Sequence, residues 1–232
     1  MKPLGIYYSL IIILTAILFT PSCAPKSSND GATDNRNDTT LINLEDIIEE
    51  EVDTIIIDSQ MTLETALEGT KAPQQVIDQL AIIDVEYISV DGKLHRGQIV
   101  ANKRIESDIK HMFAYMLEND FVVEKAIPAV KYNWSDSLSM DDNNSYSFCY
   151  RNVSYSKHAY GMAIDINPRF NPLRWKNVDR ENQPKGAVLD TTINGTLHPQ
   201  HSVVKEFKRL GYRWGHTFSK YYDDHHFEKP YP

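Results

Sequence analysis

Polar and apolar residues change rhythm several times along the chain, and each change predicts an element. Ile6 to Phe19 is an almost unbroken apolar run, with Lys2 before it and Pro21-Ser22-Cys23 after it. The run is shorter than the roughly 20 residues that cross a bilayer. A short apolar stretch behind a positive start and before a small residue reads as a secretory signal, here residues 1–22. Residues 24–40 lack apolar residues that could be buried, and such composition predicts a tether without a packed core. Residues 41–71 are acidic with apolar clusters such as Ile55, Ile56 and Ile57. Their pattern fits either a short element docked on a domain or a mobile segment. The expected division is therefore a signal over 1–22, an acidic tether over 23–71 and a folded domain over 72–232.

Within the domain the rhythm is first that of strands. Two apolar stretches between 81 and 100 flank Asp91-Gly92, a pairing that predicts a hairpin with a type I′ turn. The period then changes. Ile105, Ile109, Met112, Phe113 and Met116 recur at spacings that put them on one face of a helix over 103–117, and Asn119-Asp120 ends it. Residues 133–147 are polar and read as a loop. Residues 173–200, rich in Pro, Gly, Asn and Asp, read as a second long loop, and long loops inside a compact domain are often lids or binding loops. Val203, Val204, Phe207 and Leu210 share one face of a helix over about 202–210, stopped by Gly211. Helix and hairpin signals without alternating strand and helix favour an α+β fold, with a small antiparallel sheet, flanking helices and long loops.

Charge and cysteine content narrow the function. Residues 24–71 carry 12 acidic and 3 basic side chains, a net of −9 within the −8 of the whole chain, so with Lys2 set aside residues 72–232 are neutral. No basic stripe offers a surface to nucleic acid. The only cysteines are Cys23 and Cys149. Cys23 stands directly after the signal, where a lipoprotein carries its acylated cysteine, so the expected location is the cell envelope, anchored to a membrane by lipid on the periplasmic or outer-surface side. Cys149 then has no partner for a disulfide, and a buried thiol is expected.

Two segments carry candidate chemistry. In Ala163-Ile164-Asp165-Ile166 the alternation is that of a half-buried strand, with Ile164 and Ile166 inward and Asp165 on the other face. A carboxylate there is costly to bury unless it is paired or bound to a cation. His158 lies seven residues earlier, across Gly161, and a tight turn at that glycine would bring it back beside Asp165. A second histidine would complete a three-ligand site with a fourth position open, the arrangement of catalytic zinc. Asp223-Asp224-His225-His226-Phe227-Glu228 can supply it. His225 and His226 compete as the ligand, and Asp223 and Asp224 compete as the base that would take a proton from the attacking water.

At these residues the sequence resembles the zinc peptidases of the D-alanyl-D-alanine carboxypeptidase and L-alanyl-D-glutamate endopeptidase family, which share an architecture with lysostaphin-type peptidases and the Hedgehog signalling domain. The family pattern Ser-x-His-x-x-Gly-x-Ala-x-Asp is met by Ser156, His158, Gly161, Ala163 and Asp165, and the C-terminal pattern by Asp223, His226 and Phe227. The resemblance implies Zn²⁺ held by His158, Asp165 and His226, with Asp223 as general base. It implies that Arg151, at the end of Ser145-Tyr-Ser-Phe-Cys-Tyr-Arg, contacts the substrate carbonyl or carboxylate. Ser156 and Trp214 are implied as substrate-binding. After Trp214-Gly215, relatives usually show Gly, an acidic or amide residue and Trp; this chain has His216, Thr217 and Phe218, which puts the preferred peptide in question. The implied substrates are peptidoglycan stem peptides, acted on by a monomer. The rival reading is a zinc-containing binding module of the cell envelope that has lost catalysis; the presence of Asp223 and Arg151 argues against it.

Overall fold

The computed structural model describes residues 55–153 and 155–230. The expected signal 1–22, the acylated Cys23 and the tether up to residue 54 lie outside the described residues. In chain order the elements are β1 (Ile56–Ile57), α1 (Leu63–Ala66), α2 (Gln74–Ile77), β2 (Leu80–Ile88), β3 (Leu94–Asn102), α3 (Glu106–Glu118), β4 (Lys125–Ala126), α4 (Asp136–Asp141), β5 (Asn144–Ser145), β6 (Ala163–Asp165), β7 (Leu173–Trp175), α5 (Ser202–Arg209), β8 (Arg213–Trp214), β9 (Tyr221–Asp223) and β10 (His226–Glu228). The fold is α+β, as the patterning predicts. The strands form four small sheets instead of one: β1-β3-β2, β6-β10-β8, β4-β5 and β7-β9. Two of the pairings, β1 with β3 and β4 with β5, are parallel.

The β2–β3 hairpin is the longest pairing, running in register from Leu80 opposite Asn102 to Ile88 opposite Leu94. Its turn differs from the expected type I′. Gly92 has φ +77°, Asp91 is not left-handed, and the Gly92 and Ser89 amides donate to Ser89 and Lys93 carbonyls respectively. A type I′ turn needs positive φ at both central residues, and only Gly92 meets that here. Alternation along β2 turns Ile83, Val85 and Tyr87 inward, where they meet the α3 face formed by Ile109, Met112, Phe113 and Met116. Glu106 and Asp108 in the first turn of α3 face the positive end of the helix dipole. Asp120, with φ +53°, ends the helix where expected.

The same core continues under β6-β10-β8. Ile164, Ile166, Trp214 and Phe227 join it, and Val203, Val204 and Phe207 of α5 close it. Phe207 stacks on Phe227 with ring centroids 4.0 Å apart. Cys149 is buried and free, as expected.

Two boundaries move. The domain does not begin at residue 72, because residues 55–70 are already docked. β1 adds to the edge of β3, Asp58 accepts from Tyr87 Oη at 2.5 Å, and Ser59 Oγ and the Met61 amide donate to Gln98 at 2.8 and 2.7 Å. The acidic composition of the segment concealed these few polar anchors. Residues 133–147, read as a loop, contain α4 and β5. Ser135 caps α4 by accepting from the Leu138 amide at 3.3 Å, and α4 is so short and polar that no apolar period betrays it.

Candidate metal centre

Strand register builds the centre. β10 pairs antiparallel with β6 so that His226 stands opposite Asp165, and Phe227 opposite Ile164. Directly opposed residues of an antiparallel pair share one face with Cβ atoms about 4.5–5.5 Å apart. Phe227 and Ile164 thus enter the core while His226 and Asp165 meet on the other face. The Asp165 backbone is held from its other side as well, exchanging hydrogen bonds with Tyr146 at 2.9 and 3.2 Å.

His158 reaches the pair from a 3₁₀ turn, Lys157–Tyr160. Gly161 closes that turn at φ +64°. A Cβ at Gly161 would lie 2.7 Å from the Asn102 amide nitrogen. The position therefore requires glycine both for its backbone angle and for close approach to the end of β3. The expected reversal between His158 and Asp165 is made in this way.

His158, Asp165 and His226 keep only 5%, 3% and 7% of their surface exposed. Their ligand atoms converge: His158 Nε2 and His226 Nδ1 are 3.0 Å apart and lie 3.1 and 2.9 Å from Asp165 Oδ1. The outer nitrogens determine which atoms are free to bind. His158 Nδ1–H donates to the Ser147 carbonyl at 2.6 Å, and His226 Nε2–H donates to Glu228 Oε2 at 3.2 Å. Each imidazole is thereby turned so that its other nitrogen faces Asp165, the outer-partner arrangement that orients metal-bound histidines. Two inward nitrogens and a carboxylate oxygen crowded on one buried point are held together by shared protons or by a cation between them. Of the described residues, these three form a group able to hold a metal ion.

The charges agree. Burial opposes an ionised Asp165, but the His158 and His225 charges, with hydrogen bonds from His158 and His226, hold its carboxyl well below the ordinary value. Burial likewise opposes a charged His226, yet Asp165 and Glu228 outweigh it and push its pKa up to about 10. Asp165, Asp223 and Glu228 thus stabilise positive charge on the histidines between them.

The two competing pairs separate cleanly. His225 is not among the converging ligands. Its Nδ1–H donates to the Asn171 carbonyl at 2.7 Å, and its Nε2 stands 2.9 Å from Asp223 Oδ1 and 3.8 Å from Asp165 Oδ2. Asp223 Oδ1 is buried, is close enough to His225 for charge attraction, and lacks an aligned hydrogen-bond donor. Asp224 is fully engaged elsewhere, accepting from Arg174 Nε at 2.7 Å and His216 Nδ1 at 2.6 Å. Asp223 therefore borders the centre with its Oδ1 in an ion pair with His225, and Asp224 is a structural carboxylate. Gly215 permits the approach of Asp223, since a Cβ there would lie 2.6 Å from the Asp223 Cβ.

Arg151, Ser156, Asp223 and the three converging residues line one cleft. The Arg151 guanidinium meets Asp136 Oδ1 at 2.9 Å while bordering that cleft. Trp214 is a correction. Its ring is 1% exposed, stacked between His216 and Phe227, and its Nε1–H donates to the Asp224 carbonyl at 2.8 Å. It is a core residue and does not line the cleft. Sequence reasoning overlooked the Ser147 carbonyl and Asn171, because backbone acceptors leave no mark in a sequence. Glu228 had a signal, its place two residues from His226 on the same side of a strand.

Residues 151–229 match a family model described as D-alanyl-D-alanine carboxypeptidase. That span contains Arg151 and every residue of the centre. No curated protein and no solved structure matches the chain.

Proposed function

We propose that the chain, whose residues 151–229 match a family model described as D-alanyl-D-alanine carboxypeptidase, is a zinc-dependent peptidase hydrolysing an amide bond in peptidoglycan stem peptides. The observation that carries the reading is the convergence of His158 Nε2, His226 Nδ1 and Asp165 Oδ1 in a buried cluster. Nitrogen and oxygen ligands 2.0–2.2 Å from a tetrahedral zinc stand about 3.3–3.5 Å from one another; the separations here are 2.9–3.1 Å. Two histidines and one carboxylate leave one position of a tetrahedron open, which suits a catalytic zinc.

When bound, zinc supplies Lewis-acid chemistry, acidifying water and polarising a carbonyl. The remaining steps belong to the chain. The Asp223 carboxylate takes a proton from the attacking water and returns it to the departing amine nitrogen. Its place on the wall of the cleft, beside the three converging residues, supports this role. His225, held by Asn171, keeps the Asp223 carboxylate turned toward the cleft. Arg151 places positive charge on the cleft wall, where negative charge develops on the substrate carbonyl. Ser147 and Glu228 hold the two imidazoles in the required tautomers.

The reading is tested by digesting purified muropeptides with the zinc-loaded full-length protein and identifying products by mass spectrometry. One zinc per chain is expected in the parent and none in His158→Ala; stoichiometric zinc in that variant would defeat the ligand assignment. The same reading places the enzyme on a membrane through an acylated Cys23. Cys23→Ser is then expected to release the protein from membranes or leave its precursor uncleaved, and identical membrane partition of both forms would rule the anchor out.

A further inference from the structure

The Arg151 guanidinium supplies the positive charge that the proposed reaction requires of the cleft wall, and its own backbone does little to hold it there. Arg151 belongs to no strand or helix, and its side chain is 36% exposed. An arginine side chain has several rotatable bonds, so an unheld guanidinium samples many positions. Developing charge is stabilised by donors that are fixed before the reaction starts. Another group has to fix this one.

Arg151 Nη2 donates to Asp136 Oδ1 at 2.9 Å, and the same oxygen accepts from Tyr146 Oη. Asp136 and Arg151 both line the central cleft of ≈ 270 Å³, and Asp136 also borders a neighbouring cleft of ≈ 630 Å³. The pair thus stands on the wall of the site and not behind it. Its inner support is Tyr146, which is 1% exposed. The Tyr146 ring stacks on His158 with centroids 5.2 Å apart, and its backbone exchanges hydrogen bonds with Asp165. One residue therefore touches two of the three converging residues and, through its hydroxyl, the carboxylate that holds Arg151. The outer support is α4. Asp136 is its first residue, directly after the Ser135 cap, and Asn144 Nδ2 donates to Ser139 Oγ at 2.9 Å, tying the helix to β5.

We propose that Asp136 is a positioning residue for the reaction: held by Tyr146, it aims the Arg151 guanidinium at the carbonyl of the bond to be cut. This rests on the peptidase reading above and on the charge-stabilising role given there to Arg151. A guanidinium carries five N–H donors. Asp136 engages one edge of it and leaves the remaining donors for the substrate. Asp136 acts through Arg151, so its effect should vanish when Arg151 is absent.

The test is a double-mutant cycle on zinc-loaded full-length protein with purified muropeptides, reading kcat and KM separately. Asp136→Asn keeps the size of the side chain and an acceptor oxygen for Tyr146 but removes the charge that holds Arg151. It is expected to lower kcat about 10- to 100-fold, the range for one charged hydrogen bond lost or a reacting geometry displaced by about 1 Å. KM and zinc content should stay as in the parent. In Arg151→Ala protein the same change should lower kcat by less than about twofold, because residues acting as one unit are not additive. Tyr146→Phe keeps the ring against His158 and frees the Asp136 carboxylate. It should give a smaller loss of kcat that is likewise absent without Arg151, and this second cycle decides the matter if Asp136→Asn does not fold. A full multiplicative loss in the Arg151→Ala protein, a loss confined to KM, or an unchanged kcat in Asp136→Asn would overturn the proposal and leave the peptidase reading standing. A parent with full zinc occupancy that cleaves no muropeptide would overturn both.

Discussion

The two three-stranded sheets sit over one core and are stabilised in different ways. In β1-β3-β2 the long hairpin turns Ile83, Val85, Tyr87, Ile99 and Ala101 onto α3. Each large apolar side chain so buried contributes about 1.5–3 kcal/mol. In β6-β10-β8 the strands are two or three residues long. One face, Ile164, Phe227 and Trp214, adds to the same core, but the other buries His226 and Asp165 against His158. In the first sheet apolar burial of the hairpin is joined by paired polar anchors such as Tyr87–Asp58 and Ser59–Gln98. The second carries buried charges whose desolvation is costly and which need a compensating cation. With a metal bound at the centre, the scaffold is expected to be insensitive to the ion and the site sheet tied to it.

Four changes probe this contrast, the largest effect first. Asp223→Asn should lower kcat about 10²–10⁴-fold, the range for loss of a positioned proton acceptor, while zinc content and thermal midpoint stay as in the parent. Chelation comes next. At metal about a thousandfold above its Kd, binding to the folded state contributes about 4 kcal/mol, so amide exchange in 163–165 and 226–228 should accelerate on zinc removal while 80–102 stays protected. Equal loss of protection in both sheets would erase the distinction. Asp224→Asn inverts the Asp223 result: it breaks a buried pairing with Arg174 and His216 and should cost about 3 kcal/mol of stability by denaturant unfolding, with turnover little changed. If Asp224→Asn were the inactive variant, the two carboxylates would have to exchange roles. The smallest effect belongs to the scaffold. Ile99→Val should cost about 0.5–1.5 kcal/mol and leave zinc affinity untouched in a metal titration.

Legibility followed the range of the interactions. The hairpin and α3 were readable because neighbours in sequence set their patterns. So was the turn at Gly161, where a local spacing demanded a reversal. The docking of residues 55–70 was not readable, since it depends on Tyr87 and Gln98 meeting Asp58 and Ser59 from strands further along. Trp214 shows the opposite failure. Its place beside a motif suggested contact with substrate, but a motif does not say which way a strand residue points, and the β10 pairing turns it inward.

By itself the sequence determined the α+β class, the apolar faces that build the core, and the residue types of the centre, because these follow from side-chain period and from ligand chemistry. Period and spacing alone left two choices open, His225 against His226 and Asp223 against Asp224, and the family resemblance closed both. The register of β10 on β6 supplies the physical reason for the first, by placing His226 opposite Asp165. For the second, the Arg174 and His216 contacts engage Asp224, while Asp223 lines the cleft. A one-residue shift in a strand exchanges its two faces, and the pairing that prevents such a shift lies sixty residues away in the chain, where only the folded structure brings the partners together.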